Sequence, residues 1–382
     1  MLIGIPAETE AGETRVAATP ETVKKYLAQG HRVRVQAGAG VAASAPDEAY
    51  RAVGAEIVEA ADALACELVL KVRAPSAAEL TRMKPGAALV GLLEPHNAEG
   101  LARIAAAGVT GFALEAAPRT TRAQSLDVLS SQANIAGYKA VLLAANQYGR
   151  LFPMLMTAAG TIKAARIVVL GVGVAGLQAI ATAKRLGAVI EATDVRPSVK
   201  EQVESLGAKF IDVPYETAEE KEAAEGVGGY ARPMPPSWLE RQKIEVAKRI
   251  AQADIVISTA LIPGRAAPVL ISEEMVQRMK PGSVIVDIAA GKGPIGPHGA
   301  AGGNCPLTEA DLTVTRHGVH LIGATNLPAL VPADSSALYA RNLLDFLKLV
   351  LPKDAAALEI ALDDDIVAAC LVTQGGAVRR PS

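Results

Sequence analysis

The stretch at residues 166–178 constrains the fold of this chain more than any other. It reads Arg-Ile-Val-Val-Leu-Gly-Val-Gly-Val-Ala-Gly-Leu-Gln, an apolar run followed by glycines at positions 171, 173 and 176. This G-x-G-x-x-G spacing is typical of a strand that turns into a helix. The first glycine permits the turn, the second lets a pyrophosphate approach the backbone, and the third lets the helix pack on the strand. We therefore expect a dinucleotide at the positive end of this helix, although a glycine-rich turn in an ordinary α/β domain has the same local pattern.

An acidic residue follows at the position where dinucleotide-binding domains bind the adenosine ribose. The apolar run at 188–193 ends at Asp194, about 20 residues after the glycines. A carboxylate there accepts hydrogen bonds from ribose hydroxyls and repels a 2′-phosphate, which favours NAD(H) over NADP(H). Arg196 weakens this interpretation because an arginine can accept the phosphate. Asp194 could also simply cap the helix that begins near Pro197.

Composition argues against several classes of protein. The 382 residues carry a net charge of −2 and no basic block, so we expect no nucleic-acid partner. Cys66, Cys305 and Cys370 form no C-x-x-C pair, which argues against a disulfide framework and a metal centre and fits a reducing cytoplasm. The N-terminus has no secretory-signal pattern, and no apolar run is long enough to span a bilayer.

Strand and helix patterns alternate at short spacing along both halves of the chain, which predicts parallel sheets with helices on both faces. We expect an α/β fold of two Rossmann-like domains with a cleft between them. The first domain would comprise residues 1–130 and 325–382, with a C-terminal helix that returns to it. The second, residues 131–324, would bind NAD(H). Glycine- and proline-rich segments at 226–236 and 289–303 are expected to be loops, the first of them mobile.

Residues 119–134 are densely polar in a chain otherwise rich in alanine and valine. Arg119, Gln124, Asp127 and Ser130 offer donors and acceptors that suit a nicotinamide carboxamide and its ribose. The stretch could equally be an exposed linker whose polar side chains cap the helix that follows. Composition alone leaves both interpretations open.

Three other residues could act on a substrate. Arg15 and Lys71 lie in or after predicted strands, where a cation can hold a carboxylate, but they could also be surface charges. His96 lies in a Glu-Pro-His-Asn segment and could be an acid or base, or an ordinary loop histidine.

Several segments together resemble one family over nearly the whole chain. They are residues 1–17, 119–134, 171–187, 193–196, 200–207, 228–231, 259–264 and 302–307. The chain resembles the NAD(H)-binding component of proton-translocating NAD(P) transhydrogenases. The wider superfamily includes alanine dehydrogenase, which shares the two-domain architecture.

The resemblance implies an activity and partners. It implies a homodimer that passes hydride between NAD(H) and NADP(H), with NADP(H) on a separate component. The chain would lie on the cytoplasmic face of the cell membrane, associated peripherally through partner subunits that include a membrane proton channel. Direct transfer between two nicotinamides needs positioning rather than a general acid or base.

The resemblance also assigns roles to residues. Those implied at the nicotinamide end are Arg119, Gln124, Asp127 and Ser130, with Gln124 also reaching toward the partner's NADP(H) and Tyr138 close to the site. The pyrophosphate would be faced by Gly171, Gly173, Val174, Ala175 and Gly176. The adenosine ribose would be surrounded by Asp194, Val195 and Arg196. The site would be lined or covered by Gly229, Tyr230, Gln242 and Leu261, with Tyr230 on a closing loop.

Two departures from the family pattern stand out. Alanine dehydrogenases carry a histidine after the strand that corresponds to 87–93, whereas His96 comes a few residues late, so an ancestral amino-acid site at Arg15 and Lys71 is expected to be inactive. The segment 291–301 looks longer than the family's usual link. The competing functions are an alanine dehydrogenase-like enzyme and a non-catalytic NAD-binding regulatory subunit.

Overall fold

The computed structural model describes residues 1–225, 234–262 and 264–379. Contacts within the chain divide it into two compact units. Unit 1 is Met1–Gln132 with Pro328–Ser382, and unit 2 is Ala133–Leu327. One boundary falls inside a long helix, Val128–Gln147, which we call α6.

Unit 1 contains a mostly parallel sheet. Its strands are β1 (Leu2–Ile5), β2 (Arg32–Gln36), β3 (Glu56–Val58), β4 (Leu68–Leu70), β5 (Ala88–Gly91), β6 (Thr110–Ala113), β16 (Leu371–Gln374) and β17 (Ala377–Val378). The order is β17-β16-β6-β5-β4-β1-β2-β3. The strands from β6 to β3 are parallel, while β16 and β17 are antiparallel at one edge. The connection order reverses between β1 and β4, the point at which open α/β sheets bind ligands.

The helices of unit 1 pack on both faces of this sheet. They are α1 (Pro20–Ala28), α2 (Asp47–Ala52), α3 (Ala60–Leu64), α4 (Ala77–Leu80), α5 (Ala98–Ala106), α12 (Pro332–Val350) and α13 (Asp365–Cys370). The largest core cluster joins the apolar side chains of β1, β2 and β4 with those of α12, including Leu343 and Phe346. The C-terminal helix therefore returns to the first unit, because its apolar stripe completes that core.

Unit 2 has the same parallel strand order. Its strands are β9 (Arg166–Leu170), β10 (Val189–Thr193), β11 (Lys209–Phe210), β12 (Ile255–Ser258), β13 (Val284–Asp287), β14 (Thr313–Arg316) and β15 (Val319–Ile322). They lie in the order β11-β10-β9-β12-β13-β15-β14, with only β14 antiparallel. A separate hairpin pairs β7 (Leu155–Thr157) with β8 (Gly160–Ile162). The order of the large sheet reverses between β9 and β12, which places the glycine motif at a predicted ligand-binding point.

The described helices of unit 2, besides α6, are α7 (Val174–Arg185), α8 (Lys200–Ser205), α9 (Ala218–Glu225), α10 (Pro236–Ile250) and α11 (Glu273–Gln277). Two core clusters cover the two faces of its sheet. Val169 of β9 and Ile180 of α7 lie on one face, and Val168 of β9 and Ile250 of α10 lie on the other. The central strands β9, β12 and β13 are buried on both faces, which explains their nearly continuous apolar sequences.

The predicted α/β fold with parallel-rich sheets is confirmed, with two corrections. Both sheets end in antiparallel edge strands, and the elements β3, α3, β7 and β8 were not predicted. These elements have three to five residues each, too few for a hydrophobic period to emerge. The helix expected after the polar stretch 119–134 begins within that stretch, at Val128. Most of the predicted mobile loop 226–236 lies outside the described residues.

Candidate functional site

The glycine motif forms the turn between β9 and α7. Gly171 has a φ of +89°, a conformation that glycine tolerates, and its N–H donates to the carbonyl of Thr193 at 3.0 Å. A Cβ on Gly176 would collide with the carbonyl oxygen of Gly171, so the third glycine lets the helix start against the turn. A Cβ on Gly173 would meet no atom within 4 Å. Gly173 directly precedes the first turn of α7, which begins at Val174, and a helix N-terminus offers unpaired N–H groups to an anion.

The middle of α6 crosses the start of α7 at this turn. A Cβ on Gly137 would collide with the carbonyl of Ala175, so only glycine permits so close a crossing. The next residue is Tyr138, whose side chain is 40% exposed. The close crossing therefore brings Tyr138 to the neighbourhood of the glycine turn.

Asp194 lies at the end of β10 and is bound on both carboxylate oxygens. The Val172 N–H donates to its Oδ2 at 2.8 Å, which ties the acid directly to the glycine turn. Arg196 binds it side-on, with Nε donating to Oδ1 and Nη2 to Oδ2, both at 2.9 Å. The Arg196 N–H also donates to Oδ1 at 2.9 Å. Arg196, which weakened the predicted preference for NAD(H), is thus paired with Asp194, the acid on which that prediction depends.

Val195 and Gln242 belong to the same side of unit 2. Val195 packs with Tyr215 against a small apolar cluster that includes Trp238, and the Tyr215 hydroxyl donates to the Val195 carbonyl at 3.2 Å. Gln242 lies one turn beyond Trp238 on α10 and is half-buried. Gly229 and Tyr230 lie outside the described residues.

A second turn, after β12, packs against the glycine turn. The Thr259 hydroxyl donates to the carbonyl of Gly171 at 2.9 Å. The buried Asn304 side chain holds Ala260 on both sides, accepting from its N–H at 3.1 Å and donating to its carbonyl at 2.9 Å. This clamp fixes the backbone that leads into Leu261.

The clamp rests on a buried carboxylate at the end of β13. Asp287 accepts hydrogen bonds from the hydroxyls of Ser258 and Thr308 and from the N–H groups of Ala289, Asn304 and Cys305, at 2.9–3.2 Å. Burial raises the pKa of Asp287, although these donors oppose the rise. A Cβ on Gly303 would collide with this carboxylate. Two residues of the sequence Gly302-Gly-Asn-Cys are therefore explained: Gly303 leaves room for Asp287, and Asn304 binds Ala260.

The polar stretch 119–134 forms a 3₁₀ turn, Thr121–Leu126, and the start of α6. Ala123 and Leu126 are buried in the core of unit 1, whereas Arg119 and Gln124 are exposed. Asp127 caps α6: its Oδ1 accepts the Ser130 N–H at 2.9 Å and its Oδ2 accepts the Ser130 hydroxyl at 2.6 Å. The stretch is thus an exposed turn anchored by two buried apolar side chains, and the helix cap that the linker interpretation predicted is present.

Arg15 and Lys71 are not surface charges; that interpretation is wrong. Arg15 is 3% and Lys71 1% exposed. The Arg15 guanidinium pairs with Glu13 through two bonds of 2.6 and 2.7 Å. The Lys71 ammonium lies 3.2 Å from Glu8 and 2.8 Å from Glu79. The reason is topological, because Glu8 and Lys71 follow β1 and β4, the adjacent strands at which the sheet order reverses.

His96 is exposed in the segment between β5 and α5. Within the described residues, no three His, Cys, Asp or Glu side chains are grouped to hold a metal ion. In the same part of the chain, no helix combines the length and apolarity needed to cross a bilayer.

The strand order and the glycine turn define a Rossmann-type α/β protein of two units. Residues 4–136 match the family description "Alanine dehydrogenase/PNT, N-terminal domain", and residues 140–381 match "Alanine dehydrogenase/PNT, C-terminal domain". The chain therefore belongs to the alanine dehydrogenase/PNT family of oxidoreductases.

Three relatives show where the chain stands within this family. It is 49% identical to a Rhodospirillum rubrum protein named as the first part of NAD(P) transhydrogenase subunit alpha, over 390 residues that cover 100% of this chain and 98% of that protein. The crystal structure of a transhydrogenase from Sinorhizobium meliloti matches with a TM-score of 0.84 and 45% identity, covering 100% of this chain and 99% of that one. An alanine dehydrogenase of Mycobacterium tuberculosis is 33% identical over 346 residues, 88% of this chain and 84% of that protein. The chain is thus closer in sequence to these transhydrogenases than to that alanine dehydrogenase.

Sequence reasoning missed several residues that support the site. Thr259 and Asn304 lay within segments that carried the family resemblance, but no role was inferred for them. The sequence around Gly137 shows only a glycine within a predicted helix, and the sequence around Asp287 shows only an acid at the end of a strand. Neither pattern by itself indicates a role at the site. A glycine inside a helix was the one clue available, since it usually marks close packing.

Proposed function

We propose that this chain is the NAD(H)-binding component of a proton-translocating transhydrogenase. Hydride would pass directly between NAD(H) on this chain and NADP(H) on a separate component. The observation that carries the proposal is the end-to-end match to the Rhodospirillum rubrum transhydrogenase protein.

Unit 2 has the features that NAD(H) requires. The pyrophosphate would lie over Gly171, Gly173, Val174, Ala175 and Gly176, where the open space at Gly173 supports the assignment. The adenosine ribose would be bound by Asp194, Val195 and Arg196. Because Arg196 is already paired with Asp194, an added 2′-phosphate would have to break that ion pair before it gained a cation. This arrangement supports NAD(H) over NADP(H).

The nicotinamide end would be held by Arg119, Gln124, Asp127 and Ser130, with Tyr138 nearby. Exposure of Gln124 on an anchored turn supports a role toward both this nucleotide and the partner's NADP(H). The C4–H bond of NADH breaks and a C–H bond forms at C4 of NADP⁺, so one nicotinamide is oxidised as the other is reduced. The residues of this chain supply orientation, which is the main catalytic requirement of such a transfer. Leu261, Gln242, Gly229 and Tyr230 would line or cover the site.

The proposal includes partners and a location. The NADP(H)-binding component and a membrane proton-channel component would complete the enzyme, and this chain would be held peripherally at the cytoplasmic face of the cell membrane. A homodimer is supported by the β7–β8 hairpin, because Leu155, Met156 and Ile162 are exposed on it and an isolated two-stranded hairpin is marginally stable in water.

The proposal is tested by mixing the purified chain, NADH and NADP⁺ with a purified NADP(H)-binding transhydrogenase component. We expect NADPH to form only when both proteins are present. The competing alanine dehydrogenase activity predicts NADH oxidation by the chain alone with pyruvate and ammonia. We expect little, because a pyruvate carboxylate would have to compete with Glu13 for Arg15 and with Glu8 for Lys71. Robust oxidation under those conditions would replace the proposal.

The role of the turn is tested with Gln124→Ala and Asp127→Asn. Asparagine also caps helix N-termini, so Asp127→Asn keeps α6 while removing the charge. Both variants should slow transfer more than they weaken NADH binding. Thr121→Ala, an exposed change in the same turn, is the control and should behave as the unaltered chain. An equal loss of rate and affinity in the two variants would contradict the assigned roles.

A further inference from the structure

A buried polar side chain from outside its own segment anchors the 3₁₀ turn Thr121–Leu126. Asn342, on α12, is 7% exposed. Its Nδ2 donates to the carbonyl of Ser125 at 2.8 Å, and its Oδ1 accepts the Ser131 hydroxyl at 2.7 Å. The Asn342 side chain thus links the last part of the turn to the start of α6 through two hydrogen bonds.

Backbone hydrogen bonds and exposed ion pairs also hold this turn. Its backbone bonds include Ala123 N–H to Thr120 carbonyl at 3.1 Å and a long Asp127 N–H to Gln124 carbonyl at 3.4 Å. Arg122 pairs with Asp364 and Asp365, but Arg122 is about half exposed, and exposed ion pairs contribute little to holding a backbone. The Asn342 bond is therefore a buried side-chain restraint on the backbone beside Gln124, added to the bonds of the turn itself.

We propose that Asn342 is a positioning residue for hydride transfer: by fixing the Ser125 carbonyl, it orients the adjacent Gln124. This inference rests on the proposed function, in which Gln124 helps to align the two nucleotides. Asn342 would not determine NADH affinity, because the pyrophosphate and ribose are assigned to residues of unit 2. Its loss should therefore lower the transfer rate and leave binding intact.

The test compares Asn342→Ala, Asn342→Asp and Ser336→Ala in the full chain with an NADP(H)-binding transhydrogenase component. Aspartate keeps the size of the side chain and its acceptor for Ser131 but loses the donor to Ser125. Ser336 is a buried residue on the same helix whose hydroxyl accepts the Val16 N–H at 3.1 Å, so its variant controls for the loss of one buried hydrogen bond.

We expect both Asn342 variants to reduce the transfer rate at saturating nucleotide by about 10-fold or more, with the NADH dissociation constant changed by less than about 2-fold. Ser336→Ala should transfer hydride at the unaltered rate. A rate in both Asn342 variants equal to that of Ser336→Ala would overturn the inference, as would a parallel loss of rate and NADH affinity. Absence of transfer by the unaltered chain would overturn the proposed function itself, and the inference with it.

Discussion

At the scale of single residues, we propose that the choice between NADH and NADPH depends on Asp194. We predict that Asp194→Asn raises the NADH dissociation constant about 10-fold, because a charge-assisted acceptor for the ribose is lost. The same change releases the side-on ion pair with Arg196, so NADPH should bind more tightly than before. Fluorescence titration with both nucleotides measures the two effects. Asp212→Asn, which alters an exposed acid paired with Lys200, is the control, and an unchanged NADH affinity in Asp194→Asn would contradict the assignment.

A second prediction at this scale concerns Glu115, after β6. Its Oε1 accepts the Glu94 N–H at 2.7 Å, while its Oε2 has no hydrogen-bond partner among the described residues. Burial raises the pKa of Glu115 from its ordinary value of 4.5 to about 7. The folded state therefore binds the proton more tightly than the unfolded state, so the contribution to stability is complete below pH 4.5 and is lost as pH rises through about 7.

Glu115→Gln removes this titration. Relative to the unaltered chain, the variant should gain roughly 1–3 kcal/mol in free energy of unfolding between pH 5 and pH 8. Denaturant unfolding at the two pH values gives the difference. A variant whose stability differs from that of the unaltered chain by the same amount at both pH values would show that Glu115 does not titrate in this range.

The residues that sequence could predict are those whose signal is local. The glycine spacing and Asp194 are read within 30 residues, and Asp194 indeed contacts the glycine turn. By contrast, Asn342 lies 217 residues from Ser125, and nothing near either residue indicates the bond. The burial of Lys71 was missed for the same reason, because its partner Glu8 becomes a neighbour only when β1 and β4 pair.

At the scale of elements, two glycines of the same turn are expected to have different roles, one in folding and the other in nucleotide binding. A Cβ on Gly176 collides with backbone, whereas one on Gly173 enters open space. We predict that Gly176→Ala lowers the midpoint of thermal unfolding, since the turn or the helix must shift. Gly173→Ala should unfold as the unaltered chain does but bind NADH at least about 10-fold more weakly, because its methyl group occupies the space assigned to the pyrophosphate. Normal NADH affinity in Gly173→Ala would place the pyrophosphate elsewhere.

Helices and strands were predicted correctly where the sequence contained a complete local signal, such as a glycine motif or a repeating apolar pattern. The glycine turn between β9 and α7 and the returning helix α12 were predicted, because the glycine spacing and the apolar stripe of α12 are each complete within one segment. Prediction failed for β7 and β8, whose residues are exposed throughout and so have no buried face to create an alternating pattern.

At the scale of the whole molecule, the exposed hairpin gives a test of assembly. Met156 is 71% exposed on β7. If the hairpin is covered by a second copy, Met156→Asp should bury a charge in the interface and shift the chain from dimer to monomer in sedimentation equilibrium. Val41→Asp, a similar change at an apolar side chain of unit 1 that is 60% exposed, is the control. A dimer that survives Met156→Asp would exclude the hairpin as the interface.

We propose that this chain orients NADH so that its hydride passes directly to a second nucleotide. The most direct measurement follows deuterium from NADH labelled at both C4 positions, in a mixture of the chain, NADP⁺ and an NADP(H)-binding transhydrogenase component. Mass spectrometry of the product should find one deuterium in each NADPH molecule. Unlabelled NADPH, or label that reaches a product only when pyruvate and ammonia are supplied, would contradict the account.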